Sequence, residues 1–481
     1  MYLVDNSEKR NLDTYTIKNL NIPSLLLMEN AAQRVFDLID SLNEDSKNIL
    51  ILTGKGNNGG DGFALGRILN LNNYNPDIYM VYEPESKDAI KNFKISKKYE
   101  LNIFNKSNEP DYKKYDIIVD AVFGTGFHGK LDERIQKLFD KCNKEKNIQI
   151  AIDIPSGVEG SSGKISKNPF CADYTVTFEY PLVGHFIQPG KKYCGKLLVK
   201  SIGLIKPENM EFSKSVILKQ DIDIKKLPVD IHKYSRGIVT VIGGKTDYSG
   251  ASILSSYSAL KGGAGYVKLK SVSKNRFENH FPEIVLEYFD NYDRIKLTKK
   301  EKKGVLIVGP GLGREKNKLK FLKNLFSNFK NLKIILDADA LFYFDKFYKK
   351  DVHDVIVTPH IGEFTNLTGL KISEIKDNII KIGKKFAKDK KCTLVLKSEN
   401  TIIFSKDGNV YINGLGNQYM ATLGMGDVLT GLIAGFWSQK EYNAISSTKN
   451  GVLVHSSTAD NFRNKGVHNF TAKEIAENIK I

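Results

Sequence analysis

Short apolar runs alternate with helix-patterned segments twice along this chain, and few architectures accept that rhythm. The first series is "NILIL", "DIYMVY", "YDIIVDAVF", "IQIAIDIP" and "ADYTVTF". Ahead of it Leu25, Met28, Ala32, Val35 and Ile39 recur at three- and four-residue steps, one face of a helix. Runs that are apolar at successive positions suit strands covered on both faces, so the series predicts a doubly wound parallel sheet. A second series reads "GIVTVIGG", "YVKLKSV", "GVLIVGPGLG", "LKIILDADAL", "VIVTPHIGEF" and "CTLVLKSENTIIF", followed by helical patterns through "GMGDVLTGLIAGF" and "TKNGVLVHSSTADNF". Between the two lies "IKPENMEFSKS", polar and without periodicity, which reads as a linker. At 481 residues the chain exceeds the usual domain of about 100 to 200, and two α/β domains, 1–212 and 213–481, are expected.

In open α/β sheets ligands sit beyond the carboxyl ends of the strands. Three loops of the first half qualify: "GKGNNGGDG" from Gly54, "DAVFGTGFHGK" from Asp120 and "DIPSG" from Asp153. The first fits neither the GxxxxGK[ST] nor the GxGxxG pattern. Its glycines still allow close backbone approach, and a following helix carrying Phe63, Leu65 and Ile68 favours an anion at its start. Asp120 and Asp153 close apolar runs, where an unpartnered carboxylate is costly; a cation or a catalytic proton would justify each. In the second half Gly424 and Gly426 lead into an apolar helix, so backbone N–H groups there can receive phosphate charge. Asp427 at that helix start reads as a cap or as a base, and Lys397 after "CTLVL" as a phosphate partner or a solvated lysine.

Charge narrows little. Lys and Arg total 72 against 55 acidic residues, a formal +17, but lysines are spread through helix-like segments such as "KNFKISKK" and "KKFAKDKK" as solvated faces would be. Charge alone would suggest a nucleic-acid partner; none is expected. Four scattered cysteines form neither a disulfide framework nor a zinc site. No apolar stretch nears the roughly 18 residues of a membrane span and no secretory pattern opens the chain, so a cytoplasmic protein without a membrane partner is expected.

The motifs "LLLMENAA", "GKGNNGGDGFALGRIL", "DAVFGTGF", "IDIPSG" and "ADYTVTF" resemble the NAD(P)H-hydrate epimerase domain across essentially the whole first half. The resemblance implies that Asn57, Asn58, Gly59, Gly60 and Asp61, together with Gly124, Thr125, Gly126, Phe127, His128, Gly129 and Lys130, bind the hydrated dinucleotide. It also implies that Asp153 touches that ligand as the catalytic acid/base, and that Asn58, Asp120 and Ser156 hold K⁺. The series "HKYSRGIVTVIGG", "YSGASILSSYSALKGGAGYVKL", "GPGLG", "LDADAL", "TPHIGEF" and "MGDVLTG" resembles the NAD(P)H-hydrate dehydratase domain of the ribokinase-like superfamily. By that similarity Ala251, Gly311, His360 and the catalytic Asp427 touch the hydrated dinucleotide. Lys397, Ser398, Glu399, Asn400, Thr401 and Gly426 touch the phosphate donor, ADP with Mg²⁺.

The fold implied is α/β throughout: a Rossmann-like three-layer sandwich followed by a ribokinase-like domain. The activity implied is bifunctional repair of NADHX and NADPHX, in a homo-oligomer. A small-molecule or vitamin kinase fused to a non-catalytic dinucleotide-binding or scaffold domain is the alternative. The chain departs from the family pattern at Gln418, Tyr419 and Leu423 in "GNQYMATLG" and at Ser398, where added side chains are expected to narrow the nucleotide site.

Overall fold

The computed structural model describes residues 1–42, 47–273 and 281–481. It divides into two compact units, Tyr2–Lys214 and Ser215–Ile481.

In the first unit seven strands lie in the order Asn102–Phe104, Asn75–Met80, Asn48–Thr53, Ile117–Ala121, Ile148–Ile152, Tyr174–Phe178, Lys196–Lys200, with every neighbouring pair parallel. "NILIL" is apolar throughout because both its faces are covered. Ile49 and Ile51 join a core with helices Ser24–Leu42 and Asn57–Leu71, while Leu50 and Leu52 join one with helix Glu133–Cys142. Three layers result. The chain leaves strand Asn48–Thr53 toward one side and strand Ile117–Ala121 toward the other, so a crevice opens between their carboxyl ends. Strands Asn102–Phe104 and Lys196–Lys200 escape the sequence pattern. They form the sheet edges, are only partly buried, and so need no apolar run.

The glycine stretch is not the long loop that its composition predicts. Helix Asn57–Leu71 begins inside it, leaving three residues between Thr53 and the helix. A Cβ on Gly59 would lie 2.0 Å from the Gly54 carbonyl oxygen, and one on Gly54 only 1.9 Å from that of Val122. These glycines let the helix start rest directly on the strand ends; close approach, rather than loop flexibility, is what they supply. The presumed linker is irregular in backbone up to Ser213, after which strand Lys214–Ile217 begins, yet Met210 and Phe212 pack on the small core of Val4, Leu12, Ile154 and Leu182.

In the second unit the strand order includes Val410–Asn413, Ile402–Phe404, Thr393–Leu396, Asp354–Val357, Lys333–Leu336, Val305–Val308, Ile238–Ile242, Tyr266–Ser271, Ile284–Tyr288. From Thr393–Leu396 onward neighbours are parallel. The run "CTLVLKSENTIIF" breaks at the turn-forming "SEN" into two antiparallel strands. Helices Met425–Trp437 and Ala444–Asn464 cover one face through Leu429, Ile433, Val452 and Leu453. The loops after Ile242, Val308, Leu336, Val357 and Leu396 therefore share one edge.

Candidate active sites

At the crevice of the first unit lies a cavity of about 570 Å³, a size suited to a nucleotide. Asn57, Asn58, Asp61, Gly124, Thr125, Gly126, Phe127, His128, Lys130 and Asp153 line it, as do Lys9 and Asp13. Gly59 and Gly60 do not; they face inward, Gly59 on the Gly54 backbone and Gly60 on Met28. Gly129 forms a left-handed turn beside the wall, with φ +88°.

Asp153 follows strand Ile148–Ile152 and is 7% exposed, in the left-handed region at φ +66°. Several contacts hold that conformation. Its N–H donates to the Val176 carbonyl at 2.7 Å, and Thr177 Oγ1 donates to its Oδ1 at 3.0 Å. The Leu182 N–H donates to His185 Nδ1 at 3.0 Å, so the ring proton sits on Nε2, 2.9 Å from the Asp153 carbonyl oxygen that accepts it. Burial pushes the His185 pKa down to about 4, which leaves the ring neutral at pH 7. Asp61 is held well above the usual carboxylate range by burial and by the charges of Asp153 and Asp13. Asp13 is pushed up to about 6, chiefly by burial.

Asp120 and Ser156 lie off the cavity wall, with no exposure at either. The Asp120 carboxylate accepts from Val122 N–H at 3.1 Å, Ser156 N–H at 2.7 Å and Ser156 Oγ at 2.7 Å. Burial nevertheless raises its pKa to about 6, against those three hydrogen bonds. The Asn58 side chain rests beside Gly124, and its Nδ2 is buried without a hydrogen-bond partner.

In the second unit Lys397 directly follows strand Thr393–Leu396, and its N–H donates to the Pro359 carbonyl at 2.8 Å. Its ammonium donates to Asp337 Oδ1 at 2.8 Å. A Cβ on Gly426 would stand 3.1 Å from Lys397 Nζ, so the lysine head meets the first turn of helix Met425–Trp437. Gly424 caps that helix at φ +91°, where an added Cβ would meet Leu254 and Ala472. Thr430 Oγ1, one turn in, donates to Asp337 Oδ2 at 2.7 Å. Burial and then the charge of Asp337 push Asp427 up to about 7, with Lys397 pulling the other way. Burial opposes the charge on Lys397, but Asp337, Glu363 and Asp427 outweigh it and its pKa is raised.

Of the other residues named from sequence, Ala251 sits in helix Ser249–Lys261, one turn before Ser255, whose Oγ donates to the Asp427 carbonyl at 3.2 Å. Gly311 is left-handed, with φ +62°, and a Cβ there would lie 2.2 Å from the Tyr248 carbonyl oxygen. His360 is exposed and caps helix Ile361–Thr368, its Nδ1 accepting from Glu363 N–H at 3.2 Å. Ser398 to Thr401 form the hairpin turn beyond Lys397. Ser398 Oγ donates to the Asn400 carbonyl, Glu399 pairs with Lys376 at 2.9 Å, and Thr401 accepts from Asn413 N–H through its carbonyl. Tyr419 stacks on His468 with ring centroids 4.8 Å apart, Gln418 is exposed and Leu423 is 96% exposed.

Sequence reasoning missed Lys9, Asp13, Asp337, Glu363 and Thr430. Asp337 carries the signal that drew attention to Asp120 and Asp153, a carboxylate closing an apolar run. Lys9 and Asp13 carry none, since they lie in an ordinary charged helix, Asn6–Thr14.

Two doubly wound units, each with buried acid groups at the carboxyl edge of its sheet, define a nucleotide-handling α/β enzyme. Comparison with known proteins makes this specific. A family model described as NAD(P)H-hydrate dehydratase matches residues 239–480, and one described as YjeF-related protein N-terminus matches residues 24–184. The bifunctional NAD(P)H-hydrate repair enzyme of Dictyoglomus turgidum is 33% identical, over 99% of this chain and 97% of its own. That of Moorella thermoacetica is 31% identical, over 96% and 92%. A solved ribokinase-like superfamily protein from Enterococcus faecalis superposes with a TM-score of 0.50 at 28% identity, covering 57% of this chain and 96% of that one. The chain belongs to the family of bifunctional NAD(P)H-hydrate repair enzymes.

Proposed function

We infer that the chain repairs hydrated NADH and NADPH: the first unit interconverts the R and S epimers at C6, and the second dehydrates the S epimer with ADP, yielding NAD(P)H, AMP and phosphate. The observation that carries this is the meeting of Asp427, Lys397 and the glycine-led helix start at one sheet edge. In this reading Asp427 takes the proton of the C6 hydroxyl as its oxygen attacks the β-phosphorus of ADP and the bond to AMP breaks. The C6–O bond then leaves with phosphate, a proton departs C5, and the C5–C6 double bond of the dihydropyridine forms. Lys397 and the first-turn N–H groups, Gly426 among them, steady the charge on the transferring group. Mg²⁺ would supply charge neutralisation to the phosphate oxygens of the nucleotide; among the described residues no group of three His, Cys, Asp or Glu is placed to hold a metal ion by itself. His360, Ala251 and Gly311 are assigned to the hydrated dinucleotide, and Ser398 to Thr401 to the nucleotide.

In the first unit Asn57, Asn58, Asp61 and the Gly124–Lys130 segment would cradle the dinucleotide, with Asp153 moving the proton at the C6 carbinol. Asn58, Asp120 and Ser156 would hold K⁺. A fully buried Asp120 that makes no ion pair among the described residues supports this. On this assignment the thermal midpoint of the protein rises with KCl over choline chloride at equal ionic strength, and Asn58→Ala removes the difference; equal midpoints in both salts would refute it.

The function itself is tested by giving the protein both epimers with Mg²⁺ and ADP. Dihydronicotinamide absorbance returns in full, faster than spontaneous epimerisation allows. Accumulation of a stable phosphate ester would point instead to a kinase, and a stop once the S epimer is spent would remove the epimerase half.

A further inference from the structure

Lys9 lies 4% exposed in the wall of the first cavity, and nothing in the sequence marks it. Its ammonium donates to the carbonyl of Phe178 and, at 3.1 Å, to that of Tyr180, both at the end of strand Tyr174–Phe178. It stands 3.7 Å from Asp153 Oδ1. A buried ammonium is expensive unless something requires its charge, and an apolar side chain would fill the same space without that cost.

We propose that Lys9 is a positioning residue for the epimerase: a fixed buried counter-charge to the Asp153 side chain in a cavity that also holds the carboxyls of Asp13 and Asp61. This rests on the reading of Asp153 as the acid/base. The groups around Asp153 leave Lys9 as its buried cation. From helix Asn6–Thr14 come Lys9 and Asp13, from helix Asn57–Leu71 comes Asp61, and His185 is a neutral donor to the backbone. The other basic groups lining the cavity, Lys55, His128 and Lys130, are exposed; Lys55 pairs with Glu85 at 3.3 Å, and His128 lies 3.5 Å from Glu159. Asp13 and Asp61 are both held toward their protonated forms. Lys9 thus stands at the meeting of three carboxyls, close to Asp153 Oδ1 and also opposing the rise at Asp13.

The test is the pH profile of epimerase kcat/KM, measured as loss of the R epimer above the spontaneous rate, in the full chain carrying Lys9→Met or Lys9→Gln. Glutamine keeps an N–H donor for the two carbonyls without the charge, so it covers the case in which methionine unfolds the unit. An ammonium at this distance favours a carboxylate by about 1 to 3 pK units. Both variants should therefore shift the acid limb upward by about one unit or more, so that the loss relative to the parent grows as pH falls and is least at about pH 8.5. Dehydration of the purified S epimer, the internal control, should be unchanged. Profiles that superimpose on the parent's overturn the proposal. So does an equal loss at every pH, which is what a packing defect gives. Asp153→Asn separates the two readings: epimerisation at the parent rate in that variant refutes the role of Asp153 and this inference with it, whereas its loss alongside unmoved Lys9 profiles refutes the inference alone.

Discussion

Asp427→Ala and Asp427→Asn are expected to abolish recovery of dihydronicotinamide absorbance, with kcat for dehydration of the S epimer down about 10²- to 10⁴-fold, the span of a lost general base. The asparagine variant matters because it keeps shape and hydrogen bonding while removing basicity. Epimerisation in the same preparations should continue, since Asp153 and its cavity belong to the other unit. The pH dependence follows from the same carboxyl. Burial, aided by Asp337, pushes Asp427 up to about 7, so in the free enzyme a growing share is protonated, and unable to accept a proton, as pH falls through that value. Dehydratase kcat/KM should accordingly fall about tenfold per unit below an inflection near pH 7. A profile flat from pH 5.5 to 8 would remove Asp427 as the base, and a variant that turns over at the parent rate would do so outright.

Asp153→Asn should divide a progress curve in two. With excess ADP the S epimer present at the start is repaired at the normal rate, after which recovery crawls at the spontaneous pace because the R epimer is no longer converted. The expected loss in catalysed epimerisation is again about 10²- to 10⁴-fold. Asparagine is chosen over alanine because residue 153 sits at φ +66°, a conformation that Asn and Asp tolerate better than other residues. His185 and Thr177 can then keep their contacts with the residue, so a loss reports proton transfer rather than a collapsed turn. Chromatography of the residual pool checks it: a pool of mixed epimers at the plateau would refute the assignment.

Much of the fold is readable from the chain alone because buried parallel strands must be apolar on both faces, as "NILIL" and "CTLVL" are. Edge strands such as Asn102–Phe104 face fewer neighbours and lose that mark. Carboxylates that close apolar runs are equally legible, which is how Asp120 and Asp153 stand out. Asp337 shares the mark but turns out to bridge Lys397 and Thr430, a part that only the structure gives it. The glycines of "GKGNNGGDG" misled in form: composition suggests a loop, whereas the strand ends beneath demand a helix start with no side chains in the way.

Order and spacing of residues thus marked a doubly wound sheet in the first half, a second α/β series after it, the strand ends where chemistry can sit, and the acids on those ends. Tertiary structure decided which charges meet: Lys9 with Asp153, Lys397 with Asp337, Gly426 beneath the lysine head. The physical reason is that a strand pattern follows from local period and burial. Proton affinity depends on desolvation and on charges brought close from distant parts of the chain, and no local pattern encodes those distances.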